Sequence, residues 1–123
     1  MTDQALARIA AEVVAAEIRR LPADVRKAAE SVPVHVQPSP GPDILKEGLE
    51  PDLLGLFMGS PEGTELSGED LEPPRILLYT ANLWDFSGER LEAYREEVRL
   101  TFLHELGHFL GWDEDQVADR GLE

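Results

Sequence analysis

The stretch HELGHFLGWDE, residues 104–114, carries more chemical information than any other part of this 123-residue chain. His104 and His108 are four residues apart. On a helix that turns roughly 100° per residue they project from one face, one turn apart, and can share a metal ion. Glu105 lies roughly 100° round from His104, too far to be an equal third ligand but placed where its carboxylate can reach a water beside the ion. Gly111 can take a left-handed backbone and end the helix, so that the chain turns back and delivers a further ligand. Glu114, six residues after His108, is the natural candidate.

Working outward, the helical pattern extends from about Glu89 to Leu110, with Ser87 or Gly88 near its start and Gly111 past its end. Leu91, Val98, Phe102, Leu106 and Phe109 fall on one arc of it, and Glu97, Thr101, His104 and His108 on another. The first arc is expected to face a core and the second a cleft, where ring nitrogens need partners that a metal supplies. Three positions of HExxH arise often by chance; the amphipathic helix, the glycine and the spaced acid make the pattern far more specific. The plainer alternative makes His104 and Glu105 ordinary helix residues, with Asp113, Glu114 and Asp115 capping a following two-turn helix that closes at Gly121.

Upstream, RILLYTANL at residues 75–83 is a bulky apolar run that predicts a strand. DLLGLFMG predicts another over Leu53–Met58, with Gly55 and Gly59 marking a bulge, a turn or a close backbone approach. VPVHVQ, with Val32, Val34 and Val36 alternating against polar neighbours, predicts a short strand that its proline places at an edge. PSPGPD after it reads as a rigid turn, and SPEGTELSGEDLEPP as a surface loop. From Asp3 to Arg20, Leu6, Ile9, Ala10, Val13, Val14 and Ile18 form one apolar stripe of an amphipathic helix that excludes Glu17; Asp3 is the expected N-cap and Pro22 the stop. Residues 22–30 predict a second short helix behind a proline.

The length suits one domain spanning residues 1–123 with a single core. Twenty-five acidic against eleven basic residues leave a net charge of −14, which repels nucleic-acid phosphates and anionic lipid surfaces. With no cysteine in the chain, disulfides and thiolate metal sites are excluded, and any metal takes nitrogen and oxygen ligands. The N-terminal segment breaks its apolar pattern with acids and arginines, unlike a signal peptide or a membrane span, and the expected location is cytoplasmic. His35, a lone strand histidine, is not counted as a ligand. Tyr79 and Tyr94 could donate to a developing oxyanion, although aromatic residues in such positions are more often core.

HELGHFLGWDE, preceded by LLGLFMG and RILLY, resembles the small zincin-like metallopeptidases called minigluzincins, with the HExxHxxGxxD pattern of Asp-zincins. The similarity runs over most of the chain. It implies an α+β, minimal zincin-like fold in which a small mixed sheet of about three strands packs on the N-terminal helix and the HExxH helix. It further implies one Zn2+ ion held by His104, His108 and the acid at 114. Glu114 stands where the family pattern usually has Asp; being one methylene longer, it leaves Asp113 and Asp115 as alternatives. The implied activity is peptide-bond hydrolysis: zinc would lower the pKa of bound water to about 7, with Glu105 as general base and a peptide or protein as substrate. An extended substrate is expected at an exposed strand edge, that of residues 75–83. Two other readings use the same residues. One is a non-catalytic module that keeps the scaffold, and a metal for stability or partner binding; the other is a two-His-one-carboxylate iron site.

Overall fold

The computed structural model describes residues 1–59 and 73–111. Helix α1, Asp3–Arg20, forms as its periodicity predicts, burying Leu6, Ile9, Ala10 and Val14. Its N-cap is Thr2 rather than Asp3: the Thr2 hydroxyl accepts from Ala5 N–H at 3.0 Å. Asp3 falls in the first turn, where its charge complements the helix dipole. Glu17 also departs from expectation. It lies on the buried face at 8% exposure, and its carboxylate pairs with Arg20 at 3.4 Å. Leu21 and Pro22 end the helix, and the expected second helix, α2, spans Ala23–Ala29.

Three strands follow: β1 (Val34–Gln37), β2 (Gly55–Met58) and β3 (Arg75–Tyr79). Their order in the sheet is β1-β3-β2. β1 runs parallel to β3, with Val34 opposite Ile76, and β2 runs antiparallel to it, with Phe57 opposite Ile76. The sheet is therefore mixed, and Pro33 sits at the head of an edge strand, where a missing N–H costs least. β3 is the central strand. Both its sides are occupied, so it offers no free edge to a peptide, contrary to the sequence expectation; among the described residues the outer edges of β1 and β2 are the unpaired ones. Within the PSPGPD turn, Pro42 and Asp43 open a one-turn helix, α3 (Pro42–Leu45).

The strand expected over residues 75–83 stops at Tyr79, and Thr80–Phe86 forms helix α4. Asn82 explains part of the switch, since its side-chain amide donates to the carbonyls of Pro51 and Leu53 at 2.8 Å each. Leu83, fully buried, and the Trp84 ring, edge-on to Tyr94 at 5.7 Å, then fix α4 against its neighbours. Ser87 closes α4, its hydroxyl donating to Trp84 O at 2.8 Å, rather than opening the next helix. That helix, α5, spans Leu91–Phe109 behind Arg90.

Helices α1, α4 and α5 pack on one face of the sheet: α1 and α4 touch β1, while α5 touches β2 and β3. The core between them joins Leu6, Ile9 and Val14 to Ile76, Leu78, Leu83, Tyr94, Val98, Phe102 and Leu106. Each such side chain, fully buried, contributes roughly 1.5–3 kcal/mol of transfer free energy. Tyr94 also ties α5 to α1, its hydroxyl donating to Leu6 O at 2.8 Å. Of the five residues expected on the core arc of α5, four are buried; Leu91 is 40% exposed, because the helix begins there and Tyr94 fills the core in the first turn.

Candidate metal centre

α5 delivers the motif from its last two turns. The Nε2 atoms of His104 and His108 face one another at 3.1 Å, with the rings perpendicular and their centroids 4.7 Å apart. Two imidazole nitrogens on one tetrahedral zinc, each bound at about 2.0–2.1 Å, stand about 3.3–3.4 Å apart, so the observed spacing suits a shared cation within a few tenths of an ångström. Glu105 joins them: one ligand atom from each of the three residues falls within 4.8 Å of the others. Both histidines are exposed, and Thr101 and Glu97 on their arc are partly exposed. That arc opens to solvent, as its polarity predicts.

Glu105 sits between this arc and the sheet. Its carboxyl pKa is raised, chiefly by burial; His104, His108 and a hydrogen bond donated by the Phe57 backbone N–H oppose the rise. The pattern of the sheet explains how Phe57 reaches it. Tyr79 N–H donates to Leu54 O, so in the antiparallel register Leu54, Leu56 and Met58 bond to β3, whereas Gly55 and Phe57 turn their amides and carbonyls outward. Glu105 thus meets the free edge of β2. Of the bulge, turn or close approach that Gly55 signals in the sequence, the structure shows the close approach; a main-chain donor such as Phe57 N–H leaves no mark in a sequence.

Gly111 ends the helix as expected. It takes φ +74° and donates to His108 O at 3.0 Å. Glu114, with Asp113 and Asp115, lies outside the described residues, as do the helix expected after Asp113 and most of the loop after Gly59. Neither tyrosine reaches the site. Tyr94 is spent on Leu6, and burial pushes its pKa up to about 12. Tyr79 is buried on the face of the sheet away from α5, as strand alternation with Ile76 and Leu78 requires, its hydroxyl without a partner among the described residues. His35 is on the β1–β3 surface too, lining an open cavity of about 630 Å³ with Arg75 and Asp43; among the described residues it belongs to no metal-ligating group.

Among the described residues the group offers two imidazole nitrogens with a carboxylate beside them, and no sulfur. Such sets suit zinc and its first-row neighbours. No helix among the described residues is long and apolar enough to cross a membrane. No curated protein matches the chain. A family model described as zincin-like metallopeptidase matches residues 29–122, a span that takes in all three strands, α5 and the whole HExxH motif. Taken with a mixed sheet backed by a helix that presents two facing histidines and an adjoining glutamate, this match establishes that the chain belongs to the zincin-like metallopeptidase family.

Proposed function

We propose that this chain is a zinc-dependent peptidase in which His104, His108 and Glu114 hold the cation and Glu105 is the general base. One observation carries the reading: the imidazole nitrogens face each other at 3.1 Å while the Glu105 carboxylate stands beside them, against the outer edge of β2. Bound there, a divalent cation would supply Lewis acidity to a scissile carbonyl and to a water.

The chain's own residues account for the remaining chemistry. Burial makes the Glu105 carboxylate a stronger proton acceptor than an ordinary glutamate, which is the direction a general base needs. Glu105 takes the proton of the attacking water and returns it to the nitrogen of the departing amine. An extended peptide would pair with the outward amide of Gly55 and the outward carbonyls of Gly55 and Phe57, and so lie across the end of α5 that bears the motif.

The test is Glu105→Gln, measured against a peptide library with zinc supplied. The reading expects zinc to be retained and cleavage to be lost; unchanged turnover would remove Glu105 from the mechanism. A non-catalytic role for the same scaffold is favoured by one observation: both tyrosine hydroxyls are taken into the protein, so neither can stabilise an oxyanion. Specific cleavage of library peptides by the zinc-loaded protein would eliminate that alternative.

A further inference from the structure

A single ridge of α5 lies under β2. Thr101, Glu105 and Phe109, spaced by four, share it, and the two β2 residues that face it are Gly55 and Phe57. The Phe57 ring packs on Phe109 with centroids 5.9 Å apart. At Gly55 the approach is tighter: a Cβ there would stand 2.5 Å from Thr101 Cγ2, 3.1 Å from Leu77 O and 3.5 Å from Glu105 Cγ. Gly55 is not among the glycines with positive φ, so its backbone would accept a side chain. What excludes one is the helix.

The relief of that clash falls mainly on β2. Thr101 has only two χ1 wells in a helix, so its methyl has little room to turn away. Leu77 O belongs to the strand to which β2 is bonded, so β2 cannot move towards β3. It must lift from α5, and its outer edge lifts with it.

We propose that Gly55 is a positioning residue for Glu105, holding the outer edge of β2 so close to α5 that the outward-facing Phe57 N–H is presented to the glutamate carboxylate. A β2 raised by a methyl group withdraws that donor and leaves the carboxylate free to swing. The kinetic consequence rests on the peptidase reading above. The structural consequence does not.

Three zinc-loaded full-length backgrounds, each with and without Glu105→Gln, decide the matter: wild type, Gly55→Ala, and Gly55→Ala combined with Thr101→Ala, which deletes the obstructing methyl. In a 15N-resolved amide spectrum, Glu105→Gln should shift the Phe57 resonance in the wild-type background. It should fail to do so with Gly55→Ala, and do so again in the double background. On a peptide that wild type cleaves, Gly55→Ala should lower kcat by about 10- to 100-fold, the scale of a misplaced catalytic group, with zinc affinity little changed. The Thr101 change should restore most of it, a rescue that a general loss of stability would not show. An equal Phe57 shift in all three backgrounds would overturn the proposal, as would unaltered kcat in Gly55→Ala. If Gly55→Ala does not fold, the double variant must; its failure to fold would also overturn the proposal. Absence of cleavage by wild type would count against the peptidase reading alone, since the amide spectrum still decides the role of Gly55.

Discussion

Replacing Tyr94 with Phe should lower stability at neutral pH and raise it in strong alkali, with a crossover that can be calculated. The ring, its edge contact with Trp84 at 5.7 Å and its place in the core all survive the change. What goes is one hydrogen bond, from the hydroxyl to Leu6 O at 2.8 Å. Leu6 O lies inside α1 and keeps its helical partner, so the loss belongs at the ordinary value for a hydrogen bond, about 1 kcal/mol. Against this stands the titration of the phenol. Burial raises its pKa from 10.0 to about 12, so above pH 10 the unfolded chain releases a proton that the folded chain keeps, and stability falls as pH rises. The full loss, reached above pH 12, is about 3 kcal/mol, at roughly 1.4 kcal/mol per pKa unit. The Phe variant is spared that loss. Setting the two contributions equal puts the crossover between about pH 10 and 11. Urea denaturation of both proteins in chelator, at steps between pH 7 and 11.5, measures it directly. Curves that stay parallel throughout would show that the hydroxyl is not buried as described, and curves that coincide at pH 7 would show that it is not bonded to Leu6 O.

In metal-free protein, Glu105→Gln should stabilise the fold increasingly as pH rises from 4 to 7. The raised pKa of Glu105 means that the native state binds the proton more tightly than the unfolded one, so wild type loses stability from its unfolded pKa up through its folded one; an equal difference at pH 4 and pH 7, by urea midpoint, would contradict this. Phe102→Ala, at a fully buried position in the centre of α5, should cost about 3–5 kcal/mol in urea denaturation. A cost below about 1 kcal/mol would show that the core does not close around it.

Much of this architecture is legible from residue patterns. Helix α1 announces itself through Leu6, Ile9, Ala10 and Val14, and the edge position of β1 through Pro33. The motif helix is equally plain, since the glycine at 111 and the arc of histidines require no tertiary information. The β3–α4 boundary is not legible, for a physical reason: RILLYTANL is apolar throughout, and a run buried on every side hides the change from a two-residue to a 3.6-residue period at Thr80. What resolves it is long-range, namely the bonds of Asn82 to Pro51 and Leu53. Strand order is hidden for a similar reason. The most apolar strand was expected to offer an edge, yet apolarity on both sides is what a central strand needs, and β3 takes that place. At the site, side-chain chemistry can be read from the letters, whereas the main-chain donor at Phe57 emerges only once β2 has been laid on α5.

The central claim is that His104 and His108 converge on one cation, and a zinc titration against a chromogenic chelator tests it most directly. Wild type and Glu105→Gln should each bind one zinc per chain, and His104→Ala and His108→Ala should each lose it, because the two nitrogens at 3.1 Å form one site and not two. Retention of zinc after both histidines are replaced, or no binding by wild type, would contradict the account.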